Sequence, residues 1–395
     1  MQSIATTPRS DVDIFSEDVM AAPYPVFQQL RDAGPVVHLD RFGVYAVPRY
    51  QQARDVLADW ESFSSADIAF NNDFNEYMSD FSILRSDPPL HDAMRNTLAA
   101  KLARRALREQ EPAISRRAKD IVGRLVEQGS FDAVTDLARR FPVEIVGDLI
   151  GLPEDGREDL LRMVDANFNC FGPDNERTRA SLPRRAELAD YMRVSVTREN
   201  LAEGSMGRAV YEAADAGAIP AQAAPWLVMA YVTAGMDTTV HALGHAVWLM
   251  AEHPDQWELL RTDRSLVPPA FREVLRYESP VQAFGRTVRT DWTVEEDVTL
   301  PAGTKLAVLF GSANRDERRW PDPERFDVTR DNIGHLAFGY GLHGCAGQAL
   351  ARIEGEAILN ALLDNVTRIE ADAPVRHFNN VLRGLESLPV TVFTD

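Results

Sequence analysis

The sequence predicts a mainly α-helical fold with small β-sheets. Three observations carry that expectation. Apolar residues recur at helical spacing along most of the 395-residue chain. Strand-like runs are few and short, and none alternates with helices in the βαβ order of a doubly wound sheet. The composition, 45% apolar and 26% charged, is that of a globular protein with apolar residues enough for a large core. Length alone suggests more than one domain, but no repeat or low-complexity linker divides the chain.

Taken in order, helices are expected over 24–33, 49–60 and 88–107. The third starts well, because Asp87 can cap it and Pro88 and Pro89 suit a first turn. More helices fit 108–128, 133–151, 154–165, 183–201, 221–252, 253–262, 266–278 and 345–364. The strand-like pieces are VVHLD, GVYAVP, GRTVRT, KLAVLFG and LPVTVF. Two stretches follow neither period. The segment 64–89 is long for a loop and has the character of a binding loop or lid, and 168–185 interrupts two helices.

A formal net charge of −18 repels phosphate backbones and anionic lipid, so neither a nucleic acid nor a membrane is an expected partner. Cys170 and Cys345 are the only cysteines, which excludes a disulfide framework and points to a reducing, cytoplasmic setting. The N-terminal stretch lacks a basic-then-apolar signal, and the most apolar run, 225–235, is far shorter than the ~20 residues of a membrane span.

Cys345 is the residue with chemistry around it. A thiolate is a soft ligand suited to iron. At the mouth of a helix it meets free backbone N–H groups and the positive end of the dipole. Glycines at 339, 341, 344 and 347 allow a tight turn and close approach to a flat cofactor, and Phe338 shields one side. Cys170 has no such surroundings and reads as a small buried residue.

Phe338-Gly339-Tyr340-Gly341-Leu342-His343-Gly344-Cys345-Ala346-Gly347 resembles the haem-binding signature of the cytochromes P450. Other parts of the chain resemble the same family. FREVLRYESP supplies Glu273 and Arg276 as its ExxR pair, on one helix face at i and i+3. WPDPERF supplies Arg325 as the third member of that structural charge network. AGMDTT places Asp237 and Thr238 where the family carries an acid–alcohol pair that relays protons during oxygen activation. His91, Arg95, Arg286 and His343 match its haem-propionate contacts, with arginine suited to carboxylates by its fork of donors. The resemblance implies the P450 fold, a triangular prism with haem between its I and L helices, as one domain over 1–395. It implies haem b (iron protoporphyrin IX) on the Cys345 thiolate, with Phe338 and Gly347 beside it. It also implies an oxidoreductase that inserts one atom of O2, with NAD(P)H electrons arriving through partner proteins.

FNCFGPDNE, ESPVQAFGRT, LFGSANRD and FNNVLRGLESLPV are similar to the bacterial P450 group that O-demethylates para-methoxybenzoate. Carried over, the apolar pocket comprises Phe81, Phe168, Phe171, Ala230, Thr233, Ala234, Val281, Phe284, Val381 and Leu382. The donors that hold the carboxylate in that group are absent, since Met78, Phe81, Met229 and Ala230 stand in their places. A carboxylate buried without partners is costly, so the expectation is hydroxylation or O-demethylation of a small neutral aromatic compound. Arg85 and Tyr231 are the remaining polar groups available to a benzoate or a phenol. Oxidation of para-substituted benzoic acids is the alternative; a peroxide-driven peroxygenase and a non-enzymatic haem binder are further ones. The expected redox partners are a 2Fe–2S ferredoxin and its reductase, with docking assigned to the basic stretch 101–108 and Arg352.

Overall fold

The computed structural model describes residues 7–295 and 298–394. Helices dominate, and one interrupted pair sets the architecture. The expected helix over 221–252 is a short 3-10 turn, Ala221–Ala223, followed by helices Ala224–Gly235 and Asp237–Glu252 with Met236 at the join. Three threonine hydroxyls bond back one turn along this pair: Thr233 to Met229 O (2.9 Å), Thr238 to Ala234 O (3.1 Å) and Thr239 to Gly235 O (3.5 Å). Such back-bonding competes with the helix ladder and bends it. Asp237–Glu252 is buried nearly all round, from Thr239 through Val247, because it packs on Val267–Glu278, Gln348–Leu363 and the strand Arg383–Ser387. Buried on every side, it lacks the polar stripe of a surface helix.

The expected helix at 88–107 starts at Leu90, after the two prolines, and breaks where Ala103 turns extended (ψ 140), giving Leu90–Leu102 and Arg104–Leu107. Likewise 133–151 divides into a π-turn Ala133–Ala138, capped by the Asp132 carboxylate, and the helix Arg140–Ile150. Glu176–Val194 begins well ahead of the expected 183 because Asn175 caps it at Thr178 N, and Pro183 lies inside it. The helix Met206–Asp215, capped by Ser205, has no counterpart in the sequence reading. Gln348–Leu363 starts just after Cys345.

The largest sheet has six strands in the order Arg9–Ser10, Val37–Leu39, Val44–Val47, Lys305–Leu309, Ala283–Val288 and Phe63–Ser64. Val44–Val47 runs parallel to Lys305–Leu309, which pairs antiparallel with Ala283–Val288 in a register that sets Arg286 opposite Leu306. A second sheet joins Arg368–Ala371, Pro389–Phe393 and Ser130–Asp132. A hairpin, Val375–Phe378 with Arg383–Ser387, sets His377 opposite Gly384. Among the described residues no helix is long and apolar enough to cross a membrane.

Candidate functional site

Cys345 follows two 3-10 turns, Leu336–Phe338 and Gly341–His343. Its backbone N–H donates to Phe338 O at 2.7 Å, closing the loop beneath the thiol. Gly341 has φ +67, and a Cβ there would meet Leu57 O at 2.3 Å, so no other residue fits. Burial pushes the Cys345 thiol up; the backbone N–H groups of Gly347 and Gln348, with Arg95 and Arg352 nearby, pull it back toward the thiolate. Cys170 lies fully buried in the main core, and burial raises its thiol to about 11. It takes no part in the site.

The thiol opens into a cavity of about 250 Å³. Among the described residues lining it, the cationic or potentially cationic ones are His91, Arg95, Arg286 and His343. They lie together. The His91 and His343 rings meet edge-on at 4.7 Å, and His343 Nε2 is 2.8 Å from Ser65 Oγ. Arg286 is buried, and among the described residues its guanidinium donates only to Gly285 O, at 2.7 Å; burial lowers its pKa to about 10. Burial likewise lowers Arg95. His91 Nε2 is buried without a hydrogen-bond partner. No carboxylate among the described residues forms an ion pair with Arg95 or Arg286, although buried guanidinium groups normally pair.

Ala230, Thr233, Ala234, Gly235 and Thr238 reach the cavity from the interrupted helix pair. Asp237 does not line it. The Asp237 carboxyl is buried behind Thr238, and burial, with Asp165 and Glu386 adding, pushes its pKa to about 8 against the pull of His377 and Arg139. Phe168, Phe171, Val281 and Phe284 line the apolar part, Phe171 meeting Phe284 at 5.6 Å and Phe74 at 5.2 Å.

Several expected positions lie elsewhere. Phe81 packs half-buried on the core, while Ile83 and Leu84 of the same segment line the cavity instead. Val381 and Leu382 are buried behind the site: Leu382 bridges to Val281, and Val381 O accepts from Gln282 N at 2.9 Å. Arg85 turns away and donates to the carbonyls of Asn75 (2.7 Å) and Met78 (2.6 Å), so it ties the irregular segment to itself. Tyr231 lines the cavity, but its hydroxyl donates to Leu98 O at 3.3 Å. Met78 and Met229 pack partly buried on the core.

The charge network needs one correction. Glu273 and Arg276 are fully buried and joined by two hydrogen bonds, of 2.8 and 2.9 Å. Their third charged partner is Arg330, whose Nε donates to Glu273 Oε1 at 3.0 Å, and not the side chain of Arg325, which contributes only its carbonyl, accepting from Arg276 Nη2 at 3.5 Å. Arg325 follows the turn at Asp322 and its side chain is exposed, while its carbonyl accepts from Arg330 Nη2 at 3.0 Å. The network reaches the cysteine turn through Asn314. Arg276 Nη1 donates to Asn314 O (2.8 Å), and Asn314 Oδ1 accepts from Leu336 N (2.6 Å).

Two polar cavity residues escaped the sequence reading, Asn167 and Glu354. Glu354 is fully buried with neither carboxylate oxygen hydrogen-bonded, and burial raises its pKa well above the ordinary range. An acid within the apolar face of Gln348–Leu363, one turn from Leu350 and Ile358, was the signal available for it.

A sequence model of cytochrome P450 matches residues 222–380. The chain is 41% identical over 391 residues to the protein named cytochrome p450 CYP199A2 of Rhodopseudomonas palustris, covering 98% of this chain and 95% of that one. It is 30% identical over 412 residues to cytochrome P450 monooxygenase PikC of Streptomyces venezuelae, covering 98% and 95%. The crystal structure of CYP109E1 from Bacillus megaterium with testosterone superposes with a TM-score of 0.85 at 25% identity, covering 95% of this chain and 99% of that one. With the cysteine turn, the buried cations and the interrupted helix pair around one cavity, these likenesses establish that the chain belongs to the cytochrome P450 family: a haem-thiolate monooxygenase supplied with NAD(P)H-derived electrons by redox partner proteins.

Proposed function

We propose that this enzyme, as one domain over 1–395, hydroxylates or O-demethylates a small neutral aromatic substrate with electrons from a 2Fe–2S ferredoxin. One observation carries the substrate reading. Among the described residues, every cationic one lining the cavity belongs to the cluster beside the cysteine turn, and the rest of that wall offers a carboxylate no cationic partner.

The residues present fit a haem. Arg95, Arg286, His91 and His343 form a donor cluster in which, among the described residues, neither arginine has an ion-pair partner and His91 Nε2 has no hydrogen-bond partner, suited to two propionates. Cys345 supplies the thiolate, and the N–H groups of Gly347 and Gln348 hold negative charge on the sulfur. When bound, the haem supplies the thiolate-ligated iron at which O2 is activated. Thr238 faces the cavity and holds a hydroxyl at its wall, and Asp237 behind it keeps a proton near neutral pH, as an acid donor must. Phe168, Phe171 and Phe284 surround an aromatic ring and exclude water. With Arg85 bound to backbone carbonyls and the Tyr231 hydroxyl engaged, neither supplies the missing carboxylate contact.

Local charge favours an acidic electron donor. Arg272 and Arg104 lie near enough to Arg352 to depress its pKa, after burial itself and against the pull of Glu356, and Arg352 in turn acts on Cys345. In a chain of net charge −18 this is a basic patch on the thiolate side.

Titrating the ferric holoenzyme with para-methoxybenzoate and with a neutral para-substituted methoxyarene of nearly equal shape tests the substrate reading. A low-to-high-spin shift with the neutral ligand alone is the expected result; tight binding of the benzoate refutes it. Thr238→Ala is expected to fold and bind haem normally but to send most NADH-derived electrons to peroxide, and full coupling in that variant refutes the role given to the pair.

A further inference from the structure

The helix Leu160–Asn169 has an apolar stripe with one polar residue in it. Leu160, Met163, Val164, Phe168 and, just past the helix end, Phe171 recur at the spacing of a single helix face, and each is at most 5% exposed. Asn167 falls on that stripe, one turn after Met163 and Val164 and one turn before Phe171.

Its polar neighbours on the helix are accounted for. Asp165 and Asn169 each lie two residues away, about 200° round the helix. They tie it to His377 and the turn that follows. Asp165 Oδ1 accepts from Asn379 Nδ2 at 2.6 Å and lies 2.7 Å from His377 Nε2, and Asn169 Oδ1 accepts from Asn380 N at 2.9 Å. Asn167 faces the other way. It is half-buried and lines the cavity with Phe168 and Phe171, and among the described residues its side-chain amide has no hydrogen-bond partner.

The other polar groups of this wall are committed. Thr233, Thr238 and Thr239 donate their hydroxyls to helix carbonyls, and Tyr231 donates to Leu98 O. The lining cations gather with Cys345 at the cysteine turn, where the Tyr340 hydroxyl accepts from Arg54 Nη2 at 2.8 Å. Glu354 stands on the helix that leaves that turn. Away from the haem-binding end, Asn167 is therefore the described lining residue whose donors and acceptor are all free. An unpaired amide in an apolar wall costs stability, and a leucine would complete the stripe without that cost. A ligand that pairs with the amide offsets it.

We propose that Asn167 is a specificity-determining residue, and that the substrate is a neutral arene bearing an uncharged substituent that both donates and accepts a hydrogen bond, a primary carboxamide or a hydroxyl. The inference rests on the neutral aromatic reading given above and narrows it. Asn167 Oδ1 accepts from the N–H or O–H of the substituent, and Nδ2 donates to its oxygen. A carboxamide forms both bonds at once. A carboxylate has acceptors only, so it meets Nδ2 and leaves Oδ1 unpaired against a negative oxygen. One neutral amide does not offset the desolvation of that charge.

The test uses three para-methoxy arenes of nearly equal shape, which differ in the group opposite the methoxy: carboxamide, isopropyl and carboxylate. Each is titrated into ferric holoenzyme, with binding followed by the spin shift and by calorimetry. The readout is the ratio of dissociation constants for the carboxamide and the isopropyl compound, in wild type and in Asn167→Leu. Comparing the two ratios cancels the ligands' own difference in hydrophobicity. The substitution is expected to move the ratio about tenfold or more toward the isopropyl compound. Asn167→Leu should also hold haem and melt at or above the wild-type temperature, because it completes the apolar stripe. An unchanged ratio overturns the assignment of Asn167 and leaves the neutral aromatic reading in place. If Asn167→Leu does not hold haem, Asn167→Ala decides by the same ratio. Tight binding of the carboxylate to wild type, with the ratio still moved by the substitution, refutes the neutral charge of the substrate and upholds the contact at Asn167. Binding of none of the three refutes the aromatic reading and the role of Asn167 with it.

Discussion

Arg286→Met should speed haem loss by roughly one to two orders of magnitude, and the structure says why. Arg286 is 4% exposed, on the strand Ala283–Val288, and among the described residues the only hydrogen bond of its guanidinium is to the neighbouring Gly285 carbonyl. Burial lowers its pKa from 12.5 to about 10, against a weak opposing pull from Asp87. At ~1.36 kcal/mol for each tenfold change, that fall is an unfavourable burial of roughly 3 kcal/mol. The sign follows from the depressed pKa. The group is charged at neutral pH both folded and unfolded, so the cost is present in full below about pH 10 and is relieved only as the guanidinium loses its proton. A carboxylate placed against Arg286 offsets that cost with charge-assisted hydrogen bonds worth ~1.5–3 kcal/mol. Methionine is of similar length and apolar, so it fills the space and deletes only those bonds. The factor of ~10–150 follows from the same energies. Arg286→Lys, a point charge without the fork, should fall between the two. The assay is haem transfer from holoenzyme to excess apomyoglobin, followed in the Soret band. Haem loss from Arg286→Met within twofold of wild type refutes the assignment of Arg286 to a propionate.

Three other outcomes are expected. Gly355→Ala places a Cβ 2.3 Å from the Phe271 ring, where two central helices meet, and should cost ~1–3 kcal/mol in thermal unfolding of the holoenzyme; an unchanged melting temperature contradicts the packing described. Burial raises Glu278, but Arg383 at 2.7 Å, with His245, Arg315 and Arg376, overcomes it and holds the carboxyl at about 2. Its stabilising contribution is therefore present above the ordinary glutamate range and lost as pH falls toward 2, so Glu278→Gln should cost ~3–5 kcal/mol at pH 7, with the gap narrowing on acidification. A constant gap in denaturation curves from pH 7 to pH 3 argues against that coupling. Replacing Arg104 and Arg352 by glutamate should raise the KM for ferredoxin about tenfold and flatten its salt dependence, with chemical reduction by dithionite unchanged; an unaltered KM removes the basic patch from the docking surface.

The parts of this protein that follow from the sequence are those whose physics is local. Glycine around Cys345, a helix directly after it, and an acid and an alcohol adjacent on one turn are short-range patterns, and each carries its chemistry within a few residues. Helix periodicity located most of the long helices for the same reason. Their interruptions were not visible, because the join at Met236 and the break at Ala103 depend on how each helix seats against its neighbours. The third partner of Glu273 was misplaced by a few residues, since which arginine turns inward depends on the path of the chain after Asp322 and not on residue type. Phe81, Val381 and Leu382 are apolar at positions where the cavity and the core are equally apolar, so composition does not separate them; only packing puts Ile83 and Leu84 on the cavity. Arg85 was legible as a cation and not as one bound to its own segment's carbonyls. The cluster behind Asp237 draws Arg139, Asp165, His377 and Glu386 from distant stretches of the chain. No local pattern marks those residues. The family and its cysteine turn are written in short-range sequence, whereas the fit around the acid is a product of long-range packing, which alone brings these side chains to one point.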